Sequence, residues 1–221
     1  MSSLPLTSRT RLRRLPDRGS QDRALIYQIL DEGLVCHVSF VHAAHPVVLP
    51  MAYVRVDDSI YLHGSTKNRM LDVLGAGAPC CVAVTLLDGL VLARSQFHHS
   101  MNYRSVALFA QAEDVTDPER KALVLAALCE HLVVGRSSVS RAPTRQELGG
   151  TRVLGLPIVE ASAKCRSGPA LDSAEDLSLP YWAGVLPLAL RAGAPIADAQ
   201  LAPGVPIPEV LLSHGGAGRA V

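Results

Sequence analysis

Short strand-like runs separated by turn-forming residues limit most strongly what this chain can fold into. Brief stretches rich in Val, Ile, Tyr and Phe occur at residues 34–41, 46–56, 59–63, 79–87, 90–95, 103–115, 152–164 and 180–188. Runs at this spacing are typical of an antiparallel sheet, whereas a parallel sheet would need a helix between successive strands. We therefore predict a mainly β fold with a few helices, built as a small closed or partly closed barrel.

Three helices are predicted between these runs. The first starts at Gln21 after a Ser20 cap and stops at Gly33, and the second covers residues 66–74. The third starts after Asp117 with Pro118 at its first position, and it has an apolar stripe formed by Ala122, Leu125, Leu128 and Leu132. We interpret the third as a packing helix.

Length and composition predict one soluble domain. The chain has 221 residues, of which 48% are hydrophobic and 19% charged, and its net charge is +1. Because this charge is nearly balanced, we expect neither nucleic acid nor a membrane as partner. We expect a cytoplasmic location, because the sequence has no apolar run of membrane-spanning length and no signal-peptide pattern. We expect the domain at residues 20–190, a flexible basic arm at 1–19 and an irregular Ala/Pro/Gly-rich tail at 191–221. The five cysteines form neither a disulfide framework nor a paired metal motif, and no metal is expected.

The segment 63–69 has the composition of a phosphate site. A strand ends at His63 and Gly64, and the chain continues through two hydroxyls and two cations into a helix. Glycine permits close approach of a ligand, while hydroxyls and the first helical amides can donate to an anion. Lys67 and Arg69 would neutralise its charge. The alternative is an ordinary helix cap with solvated cations.

A second polar segment, 94–105, lies just before an apolar strand. It contains His98, His99 and Tyr103 among other donors and planar groups. Such a set suits a polar ring system, although a hydrogen-bonded loop is the alternative. The two adjacent histidines would point to opposite faces of an extended chain, which argues against a shared metal.

The chain resembles the flavin-nucleotide-binding proteins related to pyridoxamine 5'-phosphate oxidase, including the nitroimidazole-reductase type. The resemblance spans roughly residues 16–190. It rests on the combination of Val-Cys-His-Val-Ser-Phe at 35–40, Pro-Val-Val-Leu-Pro-Met-Ala-Tyr at 46–53, Ile-Tyr-Leu-His-Gly-Ser at 60–65, the run 85–106, and Trp-Ala-Gly-Val-Leu-Pro-Leu at 182–188.

The resemblance implies an FMN-binding split β-barrel that works as a homodimer, with FMN at the interface. Backbone groups of one segment would then line the flavin ring: Val47, Val48, Leu49, Pro50 and Met51. A second set would hold the ribityl phosphate: His63, Gly64, Ser65, Lys67, Asn68 and Arg69. Tyr103, Arg104 and Ser105 match a further contact, although Ser105 departs from the Arg-Gln pair of the oxidases. Trp182 would lie near the partner's flavin.

These expectations favour an FMN-dependent oxidoreductase that acts on a small aromatic or nitro substrate, with NAD(P)H as donor. His63 and His98 are the candidate catalytic residues, because a histidine can transfer a proton at neutral pH. True pyridoxamine 5'-phosphate oxidase activity is not expected, because the C-terminal Arg-x-His-type motif is missing. A flavin-storage protein without turnover and a haem-binding relative remain open, as does a deazaflavin in place of FMN.

Overall fold

The computed structural model describes residues 3–216, with the backbone alone for 214–216. The strands are β1 (Gly19–Ser20), β2 (Val35–His42), β3 (His45–Ala52), β4 (Val54–Val56), β5 (Ser59–Ser65), β6 (Pro79–Leu92), β7 (Ser100–Gln111), β8 (Glu113–Asp114), β9 (Thr151–Pro157), β10 (Ala161–Arg166) and β11 (Gly184–Pro187). The helices are α1 (Arg23–Glu32), α2 (Arg69–Gly75), α3 (Pro118–Leu132), α4 (Arg145–Gly150) and α5 (Glu209–Gly216).

The strands form two antiparallel sheets. The larger has the order β1-β10-β7-β6-β2-β3, with β11 paired to the far end of β6, and the smaller has the order β4-β5-β9-β8. The prediction of a mainly β chain with few helices is therefore confirmed.

Apolar side chains of α1 and of both sheets form the main core. Ile26, Ile29 and Leu30 of α1 are buried, together with alternate residues of β2, β5 and β6. A smaller cluster joins α3 to β4 and β9 through Val124, Leu128 and their neighbours. Thus α3 packs on the smaller sheet, but of its predicted apolar stripe only Leu128 is buried there, because Ala122 and Leu125 line a cavity and Leu132 is 40% exposed.

Some predicted strands have different limits in the structure. The run 152–164 is split into β9 and β10, which belong to different sheets, by a turn at residues 158–160. Two backbone hydrogen bonds hold this turn, from Ile158 N to Asp58 O (2.8 Å) and from Phe109 N to Glu160 O (2.9 Å). Periodicity could not detect this change of sheet, because apolar residues continue through it.

Other strand limits also differ from the prediction. The run 46–56 breaks at Tyr53, whose buried hydroxyl donates to the Leu30 carbonyl at 2.6 Å. The runs 79–87 and 90–95 form one strand that has an irregularity at Asp88 and ends at Leu92. The strand predicted at 103–115 begins at Ser100 and is divided between β7 and β8, which belong to different sheets. The strand predicted at 180–188 is only Gly184–Pro187, so Trp182 lies outside it.

The helix starts also differ from prediction. Asp22 caps α1 in place of Ser20, which belongs to β1, and Asn68 caps α2 three residues later than expected. The start of α3 agrees with prediction: Asp117 caps it and Pro118 follows. Two helices were not predicted, α4, which has a Thr144–Glu147 capping box, and α5.

The N-terminal segment lies against the domain, although the sequence predicts a flexible arm there. Leu4 belongs to the main core and Thr10 is fully buried. Glu160 accepts hydrogen bonds from Thr7 and Arg9. An apolar anchor and an ion pair thus hold the segment in place. Residues 1–2 of this predicted arm and 217–221 of the predicted tail lie outside the described residues. Within 3–216, no helix is long and apolar enough to cross a membrane.

Candidate functional site

His63 lies near the end of β5 and faces a cavity. Ile60 and Leu62 are buried in the core, and strand alternation directs His63 to the other face of the sheet. Burial lowers the pKa of His63 below its ordinary value of 6.5. The imidazole is therefore neutral at physiological pH and keeps a nitrogen lone pair free to accept a proton or bind a metal.

The cavity has a volume of about 730 Å³ and lies between α3 and the segment 137–147. Its α3 wall consists largely of apolar or small side chains, Ala122, Leu125, Ala126 and Cys129, while Glu119, Arg141 and Glu147 supply charge. Arg141 and Glu147 form an ion pair at 2.7 Å. A pocket of this size with apolar walls and a few polar groups suits a flat organic ligand or cofactor.

Sequence analysis did not identify the α3 wall, which it assigned to packing alone. The signal was the small residues at positions 122, 126 and 129, spaced four and three apart and so on one face of the helix. These small side chains leave space where larger ones would have filled the cavity.

Gly64 lies where packing within the protein leaves little room for a side chain. A Cβ atom at this position would lie 3.0 Å from Cδ1 of Leu71 and 3.5 Å from Nδ2 of Asn68. The close approach of α2 to β5 therefore favours a glycine here, and the predicted approach of a ligand to Gly64 stays a prediction.

The chain itself uses most backbone donors of the 65–71 segment. Thr66 N donates to the Gly150 carbonyl at 3.0 Å, and Asn68 N donates to the Ser65 carbonyl at 2.9 Å. Lys67 N donates to Ser65 Oγ, and Met70 N and Leu71 N donate to Asn68 Oδ1. Fewer backbone N–H groups are therefore left to donate hydrogen bonds to a phosphate than the sequence analysis expected.

The two cations of this segment remain accessible. Lys67 and Arg69 are exposed, and within residues 3–216 neither side chain has a hydrogen bond or an ion pair. Each can therefore approach an anionic ligand without giving up a partner. Any phosphate held here would be bound by side-chain charge.

The residues predicted to line a flavin ring lie on β3, at the edge of the larger sheet. Within the described chain β3 pairs only with β2 and its other edge is open. Val48 and Leu49 are exposed, Pro50 offers only a carbonyl, and Val47 and Met51 pack partly on the core. This open apolar edge is free to receive a ring or another chain.

Arg104 and Ser105 already have partners in this chain. Arg104 donates to Asp88 through Nε (3.1 Å) and Nη2 (2.9 Å), and it also donates to Glu32. The hydrogen bond to Asp88 is the largest cause that raises the pKa of Arg104. Ser105 Oγ donates to the Lys164 carbonyl at 3.0 Å. The three hydrogen bonds of Arg104 use three of the five N–H donors of the guanidinium, and two carboxylates already balance its charge.

The structure does not bring His98, Tyr103 or Trp182 to the His63 cavity. His98 lies in a single helical turn beside the highly exposed Phe97, with the two rings 5.2 Å apart. Trp182 is 69% exposed and packs over Gly184, where a Cβ would lie 2.8 Å from its ring. The predicted residues therefore lie in three places in one chain: the His63 end of β5, the β3 edge, and the β6–β7 region with Trp182.

Comparisons with known proteins agree with this architecture. The family model described as pyridoxamine 5'-phosphate oxidase matches residues 22–165. Among solved structures, the flavocytochrome Anf3 from Azotobacter vinelandii is 36% identical, with 94% of this chain and 97% of that chain covered and a TM-score of 0.88. The FAD and haem binding protein from Mycobacterium smegmatis is 38% identical, with 90% and 97% covered and a TM-score of 0.85.

A more distant structure shows the fold alone. A candidate 5-nitroimidazole antibiotic resistance protein from Bacteroides thetaiotaomicron is 20% identical, with 66% of this chain and 85% of that chain covered and a TM-score of 0.57. No curated protein matches the chain. The matches confirm the split-barrel class that the resemblance implied.

Proposed function

The chain belongs to the pyridoxamine 5'-phosphate oxidase family, and on this premise we propose that it is a flavin-dependent redox protein, working as a homodimer with the flavin between the two copies. A bound flavin supplies hydride and one-electron chemistry, while the protein supplies binding and orientation. The observation that carries this proposal is the pair of exposed cations, Lys67 and Arg69, that follows His63 at the end of β5 and whose side chains have no hydrogen bond or ion pair to the described residues 3–216.

We propose that the flavin is FAD, in place of the FMN that the sequence resemblance implied. A relative 38% identical over nearly its whole length is named as an FAD and haem binding protein. FAD carries two phosphates, so two accessible cations suit it at least as well as they suit FMN. The open β3 edge offers backbone carbonyls and apolar surface to the ring.

Haem is a second candidate ligand, and the His63 cavity favours it specifically. Haem iron in proteins is often held by a neutral histidine, and His63 is a neutral imidazole on the cavity wall. The apolar α3 wall suits the macrocycle, and the Arg141 guanidinium at the cavity can pair with a propionate. When bound, haem would supply one-electron chemistry, and this chain's part would be to hold the iron through His63 and to exclude water with α3.

We further propose NAD(P)H as the electron donor and a small planar aromatic or nitro compound as an acceptor. Both ligand-accepting surfaces, the cavity and the β3 edge, are mainly apolar, which favours flat substrates. His63 would accept a proton in this exchange, because its neutral form prevails near pH 7. The role predicted for His98 stays a prediction.

The absorption spectrum of the purified protein tests the cofactor. We expect a flavin spectrum, and chromatography of the flavin released by denaturation should give FAD; release of FMN alone would contradict the choice of FAD. A Soret band would support the haem candidate. Protein that neither contains nor binds any flavin would overturn the main proposal.

A cavity-filling variant tests the haem site separately. Ala126→Phe should block the cavity and abolish haem binding while leaving flavin affinity within twofold, because Ala126 lines the cavity and not the β3 edge. Ala76→Phe, at an exposed alanine after α2, is the matched control and should bind both as wild type. Haem binding that survives in Ala126→Phe would place the haem elsewhere.

Turnover tests the redox assignment. The flavin-loaded protein should oxidise NADH or NADPH with a nitroimidazole or quinone acceptor, and His63→Ala should lower turnover more than flavin affinity. No oxidation with either nicotinamide and any acceptor would favour the storage function.

A further inference from the structure

A long segment near the C-terminus lies against almost nothing in its own chain. We call residues 188–208 the C-terminal arm; it leaves β11 and contains no helix or strand before α5. Every residue from 186 to 207 is exposed. The arm is nonetheless fixed at both ends, because Leu188 N donates to the Asp88 carbonyl at 3.0 Å and Val210 packs on Gly135.

The composition of the arm is unlike that of a segment that stays exposed to solvent. Its only charged residues are Arg191 and Asp198, while Leu190, Ile196, Leu201, Val205 and Ile207 are apolar and exposed. Ile196 is 96% exposed. Segments that remain solvated usually have high charge and few aliphatic residues, and contiguous exposed apolar surface marks an interaction site.

The solvent-accessible area of the chain is larger than that of a compact monomer of the same mass. The chain exposes 13,559 Å², whereas a compact monomer of 23.5 kDa exposes about 9,800 Å². The difference is several times the roughly 800 Å² that each partner buries in a standard interface. The excess is large enough to supply an obligate interface with another chain.

Strands β2 and β3 of the same chain have an exposed apolar face that could receive the apolar side chains of the arm. Val41 of β2 and Val48 of β3 are each more than half exposed, and Val35, at the start of β2, is nearly so. The arm begins beside this face, since Leu188, Ala189 and Leu190 lie over Glu32 and Leu34, just before β2. No described residue of the chain covers this face beyond that point.

We propose that the C-terminal arm of one copy packs across the exposed β2–β3 face of a second copy, and that the two arms are exchanged reciprocally. Two-fold symmetry makes any such contact occur twice, so both arms and both faces are covered together. The proposal rests on the homodimer of the proposed function, but not on its flavin. The partner's arm would also cover the β3 edge, so the flavin surface there is complete only in the dimer.

Sedimentation of the full-length protein over a range of concentrations tests the exchange. Ile196→Asp/Leu201→Asp should raise the dimer dissociation constant at least tenfold without unfolding the monomer, because both side chains are exposed within one chain. Val41→Asp, on the receiving face, should do the same. Val159→Asp is the matched control, an apolar residue 63% exposed in the β9–β10 turn, and should behave as wild type.

Combining the arm and face substitutions tests direct contact. If the two surfaces touch, the triple variant should weaken dimerisation by clearly less than the product of the separate effects. Independent effects, a wild type that is monomeric, or an arm variant that dimerises as wild type would each overturn the exchange. Flavin content measured in the same samples separates the proposals. A wild type that is monomeric yet contains stoichiometric flavin refutes the exchange and the interfacial site but leaves flavin binding intact, whereas a coupled dimer without flavin refutes only the cofactor.

Discussion

Oδ1 of Asn68 lies 2.9 Å from the backbone nitrogen of Met70 and accepts its hydrogen bond. This contact, with a second one from Leu71 N at 3.3 Å, fills the end of α2 where an anion could otherwise bind. The flanking Lys67 and Arg69 keep their charges free. Cap and charge are therefore separate functions of neighbouring residues, and substitutions can test them separately.

Replacing both cations should weaken flavin binding without unfolding the protein. Each charge-assisted contact contributes about 1.5–3 kcal/mol, so Lys67→Ala/Arg69→Ala should lower flavin affinity at least tenfold. Fluorescence titration of the folded variant measures it. Arg145→Ala, a cation at the start of α4, is a control that should bind normally. Unchanged affinity in the double variant would remove these residues from the site.

Asn68→Ala should instead reduce stability. Loss of an N-cap costs about 1 kcal/mol, which urea denaturation would detect. Asn68→Asp should retain the cap and most of the stability, yet weaken flavin binding, because it places a negative charge between the two cations. Equal flavin affinity for Asn68→Asp and wild type would contradict a phosphate site at this loop.

His63 should make stability depend on pH. Its folded pKa is lowered by burial, so below pH 6.5, its ordinary pKa, the unfolded chain binds a proton more readily than the folded one. Stability should therefore fall as the pH is lowered from 7.5 to 5.5. His63→Gln should lose less over the same interval, as measured by thermal unfolding. Parallel losses in both proteins would indicate that His63 is not the responsible group.

Two tyrosines allow a comparison of how much a buried and a half-buried hydroxyl contribute to stability. Tyr53→Phe leaves the buried Leu30 carbonyl without its donor and should cost about 1–3 kcal/mol. Tyr61→Phe removes a half-buried hydroxyl that accepts from Arg120 at 2.9 Å, where water can replace it. It should cost under about 1 kcal/mol. Chemical denaturation distinguishes the two, and a larger loss at Tyr61 would contradict the burial argument.

Sequence alone determined the features that depend on neighbouring residues. The cap of α3 at Asp117, the two-residue turn at Asp57 and Asp58 between β4 and β5, and the placement of cations after His63 all follow from local composition. The short runs rich in Val, Ile, Tyr and Phe also predicted the mainly β class, because these residues favour extended backbone and the turn-forming residues between the runs mark where strands end.

Only the tertiary structure decided which distant groups meet. Sequence could not show that Arg104 pairs with Asp88 and Glu32, nor that residues 158–160 turn the chain from one sheet into the other. The cavity beside His63 likewise needs α3 and the segment 137–147 to be placed against the end of β5. These features depend on packing between elements far apart in the chain, and side-chain periodicity carries no information about which elements become neighbours.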